Sequence, residues 1–525
     1  MTLTDLPPSA VSTSSDLFTP RDLEQMSELG IRPEEAARQV GLFRNRPPFT
    51  RVLRPCTPGD GIRQLSREEE PWLLARFEGA SRDGRIGKMV PASGAASRMF
   101  KELLSYLSKG NANGADAGTS MPEAVRTFFD NLERFAFFEA LAAVLQRDGL
   151  DIRESDPHTV LAYLLTEKGL DYAELPKGLL LFHRYPDGPR TPFEEHLVEA
   201  AEQTRSAGGT CRLHFTVSPQ HEEELRALLE RVRARYEERY EARFEVTFSH
   251  QRRSTDTVAV DRDNLPFRQD DGTLLFRPGG HGALLDNLHD LGQAGWDVVL
   301  IKNIDNVVPE SRRPLISQWK RLLTGTLLAA QDRVFRLLER LEEGSTTALD
   351  EAVQFLEKEL SRRLPEELKH GETEERRRRL IDLLDRPLRA CGMVRNLGEP
   401  GGGPFWVEAP DGSVSIQIVE TSQIDPKSSE QQELLKASTH FSPTDLACAL
   451  RDRHGRPYDL HRYVDPSTVF FAEKSHEGRP LKALERPGLW NGSMAGWSSI
   501  FVETPDATFA PVKSVLDLLR PEHQE

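Results

Sequence analysis

Cysteine is nearly missing from this chain. Cys56, Cys211, Cys391 and Cys448 are scattered over 525 residues and form no CxxC pair. That spacing excludes a disulfide framework and a cysteine-built zinc site. Long apolar runs are missing as well, and none approaches membrane-spanning length. The start, MTLTDLPPSAVSTSSDLFTP, has neither the basic nor the apolar stretch of a secretory leader. Basic excess is absent: 68 Lys and Arg stand against 83 Asp and Glu, a formal net charge of -15. This balance argues against a nucleic-acid or membrane-surface binder, though it leaves room for a local basic pocket. No GxxxxGK[ST], HxxxH or HExxH occurs, and His183, His214, His281 and His440 fall on separate elements. A P-loop and a zinc hydrolase are therefore poor fits. The expectation is a soluble cytoplasmic protein, too long for one core and built of two or three subdomains.

What is present is a pattern of alternating strands and helices. Residues 1–20, rich in Ser, Thr and Pro, predict a disordered start. Two short Pro-opened helices follow within a helical segment over 21–85. IGKMVPA (86–92) predicts a buried strand, RMFKELLSYLSK (98–109) a helix and GNANGADAGTSM (110–121) a flexible tip. The apolar spacing through 174 predicts a helical insertion over 101–174. Strands are expected at 178–185, 211–218, 242–251 and 297–305, with helices at 192–206, 219–240 and 282–295. The α/β core thus spans 86–314. A second, highly charged helical insertion is expected over 315–390, with EERRRRL read as a solvated face. Strands return over 391–525 in FWVEAP, SVSIQIVE, STVFFAEK and SSIFVETP, with DGS (411–413) as a hairpin turn. The fold class implied is α/β, with a parallel or mixed sheet covered by helices.

Two loops could carry chemistry. In PASGAASRM, the small residues Ser93, Gly94, Ala95, Ala96 and Ser97 join a strand to a helix, with Arg98 at the helix start. Such a loop lets backbone N–H groups approach a phosphate, and Arg98 could add a bidentate contact. A tight turn explains the same residues equally well. The second is FRPGGHG, where Gly279, Gly280 and Gly282 surround His281, followed by a helix and a strand ending Asn303-Ile304-Asp305-Asn306. A carboxylate at a strand's C-terminal end sits where open α/β sheets bind ligands. Asp305 would suit Mg²⁺ carrying a nucleotide phosphate, or would cap a turn.

PGGHG, a helix and KNIDN together resemble the UDP-glucose and UDP-N-acetylglucosamine pyrophosphorylases. Other segments keep that family's order: PASGAASRM at its glycine-rich signature, LPKGLLLFH with Lys177, FEVTFSHQ ending in Gln251, IQIVETSQI with Glu420 and FAPVKSVLDLL with Lys513. The matches cover roughly 86–100, 175–310 and 391–520. Phrases such as THFSPTDLACALRD and GLWNGSM resemble instead a bacterial domain-of-unknown-function family within this nucleotide-diphospho-sugar transferase superfamily of GT-A type. The chain departs from the signature at Ser93, Ala96 and Phe100, where the pyrophosphorylases have glycine. A Cβ at Ala96 resists positive φ, so an altered path for phosphate is expected.

The resemblance implies a Rossmann-like mixed sheet and a Mg²⁺-dependent nucleotidyltransferase, which joins a nucleoside triphosphate to a sugar 1-phosphate and releases pyrophosphate. Arg98, Lys177 and Lys513 would act on the phosphates, and Asp305 would hold the metal. The 93–97 loop, Gln251, Gly280, His281 and Gly282 would bind the nucleotide. Glu420, Lys474 and Asn491 are candidates for the sugar side. Glu420 could equally be a second metal ligand or a satisfied strand-edge carboxylate, and Lys474 and Lys482 plain surface lysines. Trp490 could be a sugar platform or core. Two alternatives stand: a GT-A glycosyltransferase, disfavoured by the single Asp in NIDN, and a non-catalytic nucleotide-sugar-binding protein.

Overall fold

The structure, a computed structural model, describes residues 17–112, 121–398, 401–409 and 412–524. The expected disordered start lies outside the described residues through residue 16. So do 113–120 of the expected flexible tip and Asp411 of the expected hairpin turn. The fold is mixed α/β. It divides into two units, one made of 1–76, 250–299 and 323–504, the other of 77–249, 300–322 and 505–525.

The second unit is built on parallel strands. Ile86–Pro91 pairs with Thr210–Thr216, which pairs with Arg243–Ser249. Val298–Lys302, whose last three residues belong to this unit, lies on the other side of Ile86–Pro91. The helix Pro192–Gln203 opens as its sequence dictates: Thr191 Oγ1 accepts from the Glu194 N–H and the Glu194 carboxylate accepts from the Thr191 N–H. With the helix Glu222–Tyr240 it buries Phe193, Leu197, Leu225 and Leu229 against Leu213 and Phe215 of the sheet. The expected first insertion is helical, with Lys101–Ala112, Glu123–Asp130, Phe138–Arg147 and Pro157–Leu165. Its apolar faces bury Phe100, Phe128, Phe137 and Leu164 together with Val512 and Leu518.

One expected strand is not there. Residues 178–185 begin as a 3-10 turn, Lys177–Leu179, and then run extended, with only an isolated bridge from His183 to Arg190. Leu180 and Phe182 are nonetheless buried, in the helical cluster. An apolar run signals burial, and helices can supply that burial as well as a sheet can.

In the first unit, Leu388–Arg395 pairs parallel with Ser498–Glu503 and antiparallel with Asp445–Ala449. A four-stranded sheet holds Val52–Pro55, Gly403–Glu408, Val414–Val419 and Arg362–Arg363 in that order. Phe470–His476 and Arg479–Glu485 form a two-stranded ribbon. The strands at 52–63 interrupt the segment expected to be helical over 21–85, while Pro20–Leu29 and Pro33–Arg44 are helices. The charged region has the helices Arg313–Glu342, Thr347–Lys358 and Thr373–Leu384. Its arginine run is paired on the surface: Arg376 with Asp350, Arg377 with Glu374 and Arg378 with Glu375. No helix among the described residues is long and apolar enough to cross a membrane.

Candidate functional site

In the second unit, three segments far apart in sequence meet at one carboxylate. The strand Val298–Lys302 ends, and the chain turns so that the Ile304 N–H donates to the Pro91 carbonyl at 3.3 Å. Asp305 follows, 6% exposed. Lys177 Nζ donates to Asp305 Oδ2 at 2.7 Å and to the Val512 carbonyl at 2.6 Å. Lys513 Nζ donates to the same Oδ2 at 3.2 Å. The backbone locks this arrangement: the Val512 N–H donates to the Asp305 carbonyl, and the Ala510 N–H to Asn306 Oδ1. Asp517 Oδ2 accepts from the N–H groups of Lys513 and Ser514, fixing the turn that carries Lys513.

The 93–98 loop belongs to this group. The Lys177 N–H donates to the Gly94 carbonyl at 3.3 Å, and the Ala96 N–H to the Leu175 carbonyl at 3.1 Å. Ser93, Gly94, Ala95, Ser97 and Arg98 are exposed, whereas Ala96 is buried among the insertion's phenylalanines. None of these residues has positive φ. Ser93, Ala96 and Phe100, which stand at the signature's glycine positions, thus carry no backbone strain. A Cβ at Gly94 would meet nothing within 4 Å.

Electrostatics couple the three side chains. Burial pushes the Asp305 carboxyl up, but the charges of Lys177 and Lys513 outweigh it and hold the group below the usual aspartate range. Burial lowers Lys177, and Asp305 only partly opposes that. Lys513 differs: its side chain is 57% exposed. A divalent cation does not fit this arrangement at Asp305 Oδ2, because two ammonium nitrogens already occupy it.

The first unit holds the other loop. Gly280 has φ 72°, the left-handed region that favours glycine. A Cβ at Gly282 would lie 2.1 Å from the Pro487 carbonyl oxygen, and one at Gly279 2.5 Å from that of Thr255. These two glycines are therefore demanded by close backbone packing. The Leu489 N–H donates to His281 Nδ1 at 3.1 Å, which leaves the ring proton on Nε2. The His281 ring stacks on half-buried Trp490 at 4.2 Å, and burial lowers its pKa to about 4, so it is neutral. Beside it, Asn491 Nδ2 donates to Glu420 Oε1 at 3.3 Å, while the buried Asn491 Oδ1 has no partner. Burial pushes the Glu420 carboxyl up, and the Asn491 bond only partly offsets this.

The remaining candidates are not drawn in. Gln251 has a buried Nε2 without a partner, and so makes no bond there to His281 or Asn491. Lys474 is exposed on the ribbon, and Lys482 is spent on Arg262 O and Asn264 Oδ1.

Sequence reasoning missed a second lysine–carboxylate group in the second unit. Lys88 Nζ donates to Glu199 Oε2 at 2.5 Å and Lys302 Nζ to Glu199 Oε1 at 2.6 Å, all three fully buried. His196 Nε2 lies 3.3 Å from the Ile304 carbonyl, next to Asp305. The signal was available: Lys88 and Lys302 each sit in an otherwise apolar strand, where a buried charge requires a partner.

The chain matches the model of the family described as "Domain of unknown function (DUF4301)" over residues 19–524. It belongs to that family. No curated protein matches this DUF4301 member. Among solved structures it is similar to the UDP-glucose pyrophosphorylase of Leishmania major, at 13% identity and TM-score 0.45, covering 97% of this chain and 79% of that one. It is also similar to the Trypanosoma brucei uridine diphosphate N-acetylglucosamine pyrophosphorylase, at 12% identity and TM-score 0.45, covering 97% and 81%. Likeness of that degree transfers neither ligand nor activity.

Proposed function

We propose that this protein binds a nucleoside triphosphate and a sugar 1-phosphate and transfers the nucleotidyl group between them. The observation that carries the reading is the meeting of Lys177 and Lys513 on Asp305, tied by backbone bonds to the small-residue loop at 93–98. In the reaction a sugar phosphate oxygen attacks the α-phosphorus. The bond from that phosphorus to the bridging oxygen breaks, and pyrophosphate leaves. No covalent enzyme intermediate is needed; positioning and charge neutralisation suffice. Asp305 would hold Lys177 and Lys513 in place. Lys513, the exposed partner, would move from the carboxylate to a phosphate oxygen, while Lys177 stays anchored on Val512.

A thermal-shift titration with UTP and other triphosphates, with and without Mg²⁺, tests this. Ligand binding to the native state raises the midpoint by mass action. The expected outcome is a shift with triphosphate, lost in Lys513→Ala, and pyrophosphate release when sugar 1-phosphate is added. The Mg²⁺ arm checks the metal requirement that the sequence resemblance implied. A shift with nucleotide sugar but no pyrophosphate release defeats the transferase reading in favour of a binding protein. No shift with any nucleotide defeats both.

A further inference from the structure

A group of metal-ligating side chains lies in the first unit, outside the elements used above. His289 and Asp286 stand one turn apart on the helix Leu284–Gln293. Asp459 caps the 3-10 helix Leu460–Tyr463, which carries His461. One ligand atom each from His289, Asp459 and His461 lies within 4.8 Å of the others. The two imidazole rings are 4.8 Å apart, centre to centre.

Hydrogen bonding sets the two rings differently. His461 Nε2 lies 2.6 Å from Asp286 Oδ1, so a proton on Nε2 is donated to that carboxylate. Nδ1 lies 3.2 Å from Asp459 Oδ1 and, without a metal, donates a proton to that carboxylate; a metal ion would take the place of that proton between the same two atoms. A carboxylate behind a histidine is the arrangement that orients imidazole ligands toward a metal. His289 is held weakly: its Nδ1 and Nε2 have only 3.4 Å contacts, with the Leu460 N–H and Gln293 Nε2. Both contacts can come from donors, and a neutral imidazole can accept at only one nitrogen. The ring is therefore cheap to turn.

We propose that His289, Asp459 and His461 bind a divalent transition-metal ion of the zinc class, with Asp286 orienting His461. Two imidazoles and one carboxylate are the donor set that zinc accepts, whereas Mg²⁺ prefers oxygen. With Asp286 the two carboxylates balance the ion's charge. Three protein ligands leave a fourth position to water. The ion would clamp Leu460–Tyr463 onto the helix that begins just after the Gly-Gly-His-Gly loop, so the expected role is to stiffen that helix and its loop.

The test uses the full-length, tag-free protein. Zn²⁺ binding is measured by calorimetry and Co²⁺ binding by visible d–d absorption, with Mg²⁺ as control. The expected result is one Zn²⁺ or Co²⁺ per chain, a raised melting temperature with Zn²⁺, and no competition by Mg²⁺. Asp286→Asn should weaken binding about 10- to 100-fold, and His289→Ala with His461→Ala should abolish it. All these residues are partly or fully exposed, and circular dichroism without metal checks that each variant folds. Binding that survives the double substitution, or no stoichiometric binding at all, overturns the proposal.

Discussion

The second unit contains two groups of the same composition, each with one carboxylate and two lysines. Glu199 holds Lys88 and Lys302 at 2.5 and 2.6 Å, and Asp305 holds Lys177 and Lys513 at 2.7 and 3.2 Å. In the first group no member is more than 2% exposed, whereas Lys513 in the second is 57% exposed. Burial lowers Lys88 to about 8 in spite of Glu199, and Glu199 is held well below the glutamate range by Lys302 and Lys88 against the opposing push of burial. The closed group can only hold the strands Ile86–Pro91 and Val298–Lys302 to the helix Pro192–Gln203. The open group has a charge that can leave. Identical chemistry thus acts as a fastener or as a candidate phosphate site according to whether water reaches one lysine.

The comparison breaks most sharply at Glu199. Glu199→Gln leaves two buried ammonium groups uncompensated and should cost about 3–5 kcal/mol in urea unfolding. A loss under about 1 kcal/mol would mean that the closed group is not a fastener. Asp305→Asn should cost less, about 1–3 kcal/mol, because Lys513 can turn to water and Lys177 keeps the Val512 carbonyl. That variant should nevertheless lose the triphosphate-induced thermal shift.

Acid unfolding sharpens the contrast further. A carboxyl with a depressed folded-state pKa contributes stability that is present above its unfolded value and lost as pH falls through the folded value. The unfolded values are near 4.5 for Glu199 and 3.8 for Asp305, and Glu199 is the more strongly depressed. Stability should therefore fall below about pH 4.5, and Glu199→Gln should flatten that limb more than Asp305→Asn. The reverse order would contradict the assignment of closed and open groups. The smallest effect on stability belongs to Lys513→Ala, within roughly 0.5 kcal/mol of the parent, while turnover should fall about 100-fold or more. Equal effects on stability and turnover would make Lys513 a structural lysine.

Much of the framework was legible beforehand. Thr191 and Glu194 announce a capping box, and Ile86–Pro91 and Val298–Lys302 read as buried strands because apolar runs bounded by loops allow little else. The same reading of apolar runs fails where burial comes from helices: Leu180 and Phe182 sit in such a run yet join no sheet. Asp445–Ala449 (DLACA) and Arg479–Glu485 (RPLKALE) escaped because neither has a β-branched or aromatic residue, and Pro480 argues against a strand in the second.

By itself the sequence determined the alternation of strands and helices, the two small-residue loops and the identities of Lys177, Asp305 and Lys513 as candidates. Only the tertiary structure decided that these three meet, that Gly279 and Gly282 are required by packing, and that Lys88, Glu199 and Lys302 form a second, sealed group. The reason is physical. Local propensity acts over a turn or a strand, whereas Lys177 and Lys513 stand 128 and 208 residues from Asp305. Whether a charge at such a distance is paired, and whether water reaches it, depends on the packing of the whole unit.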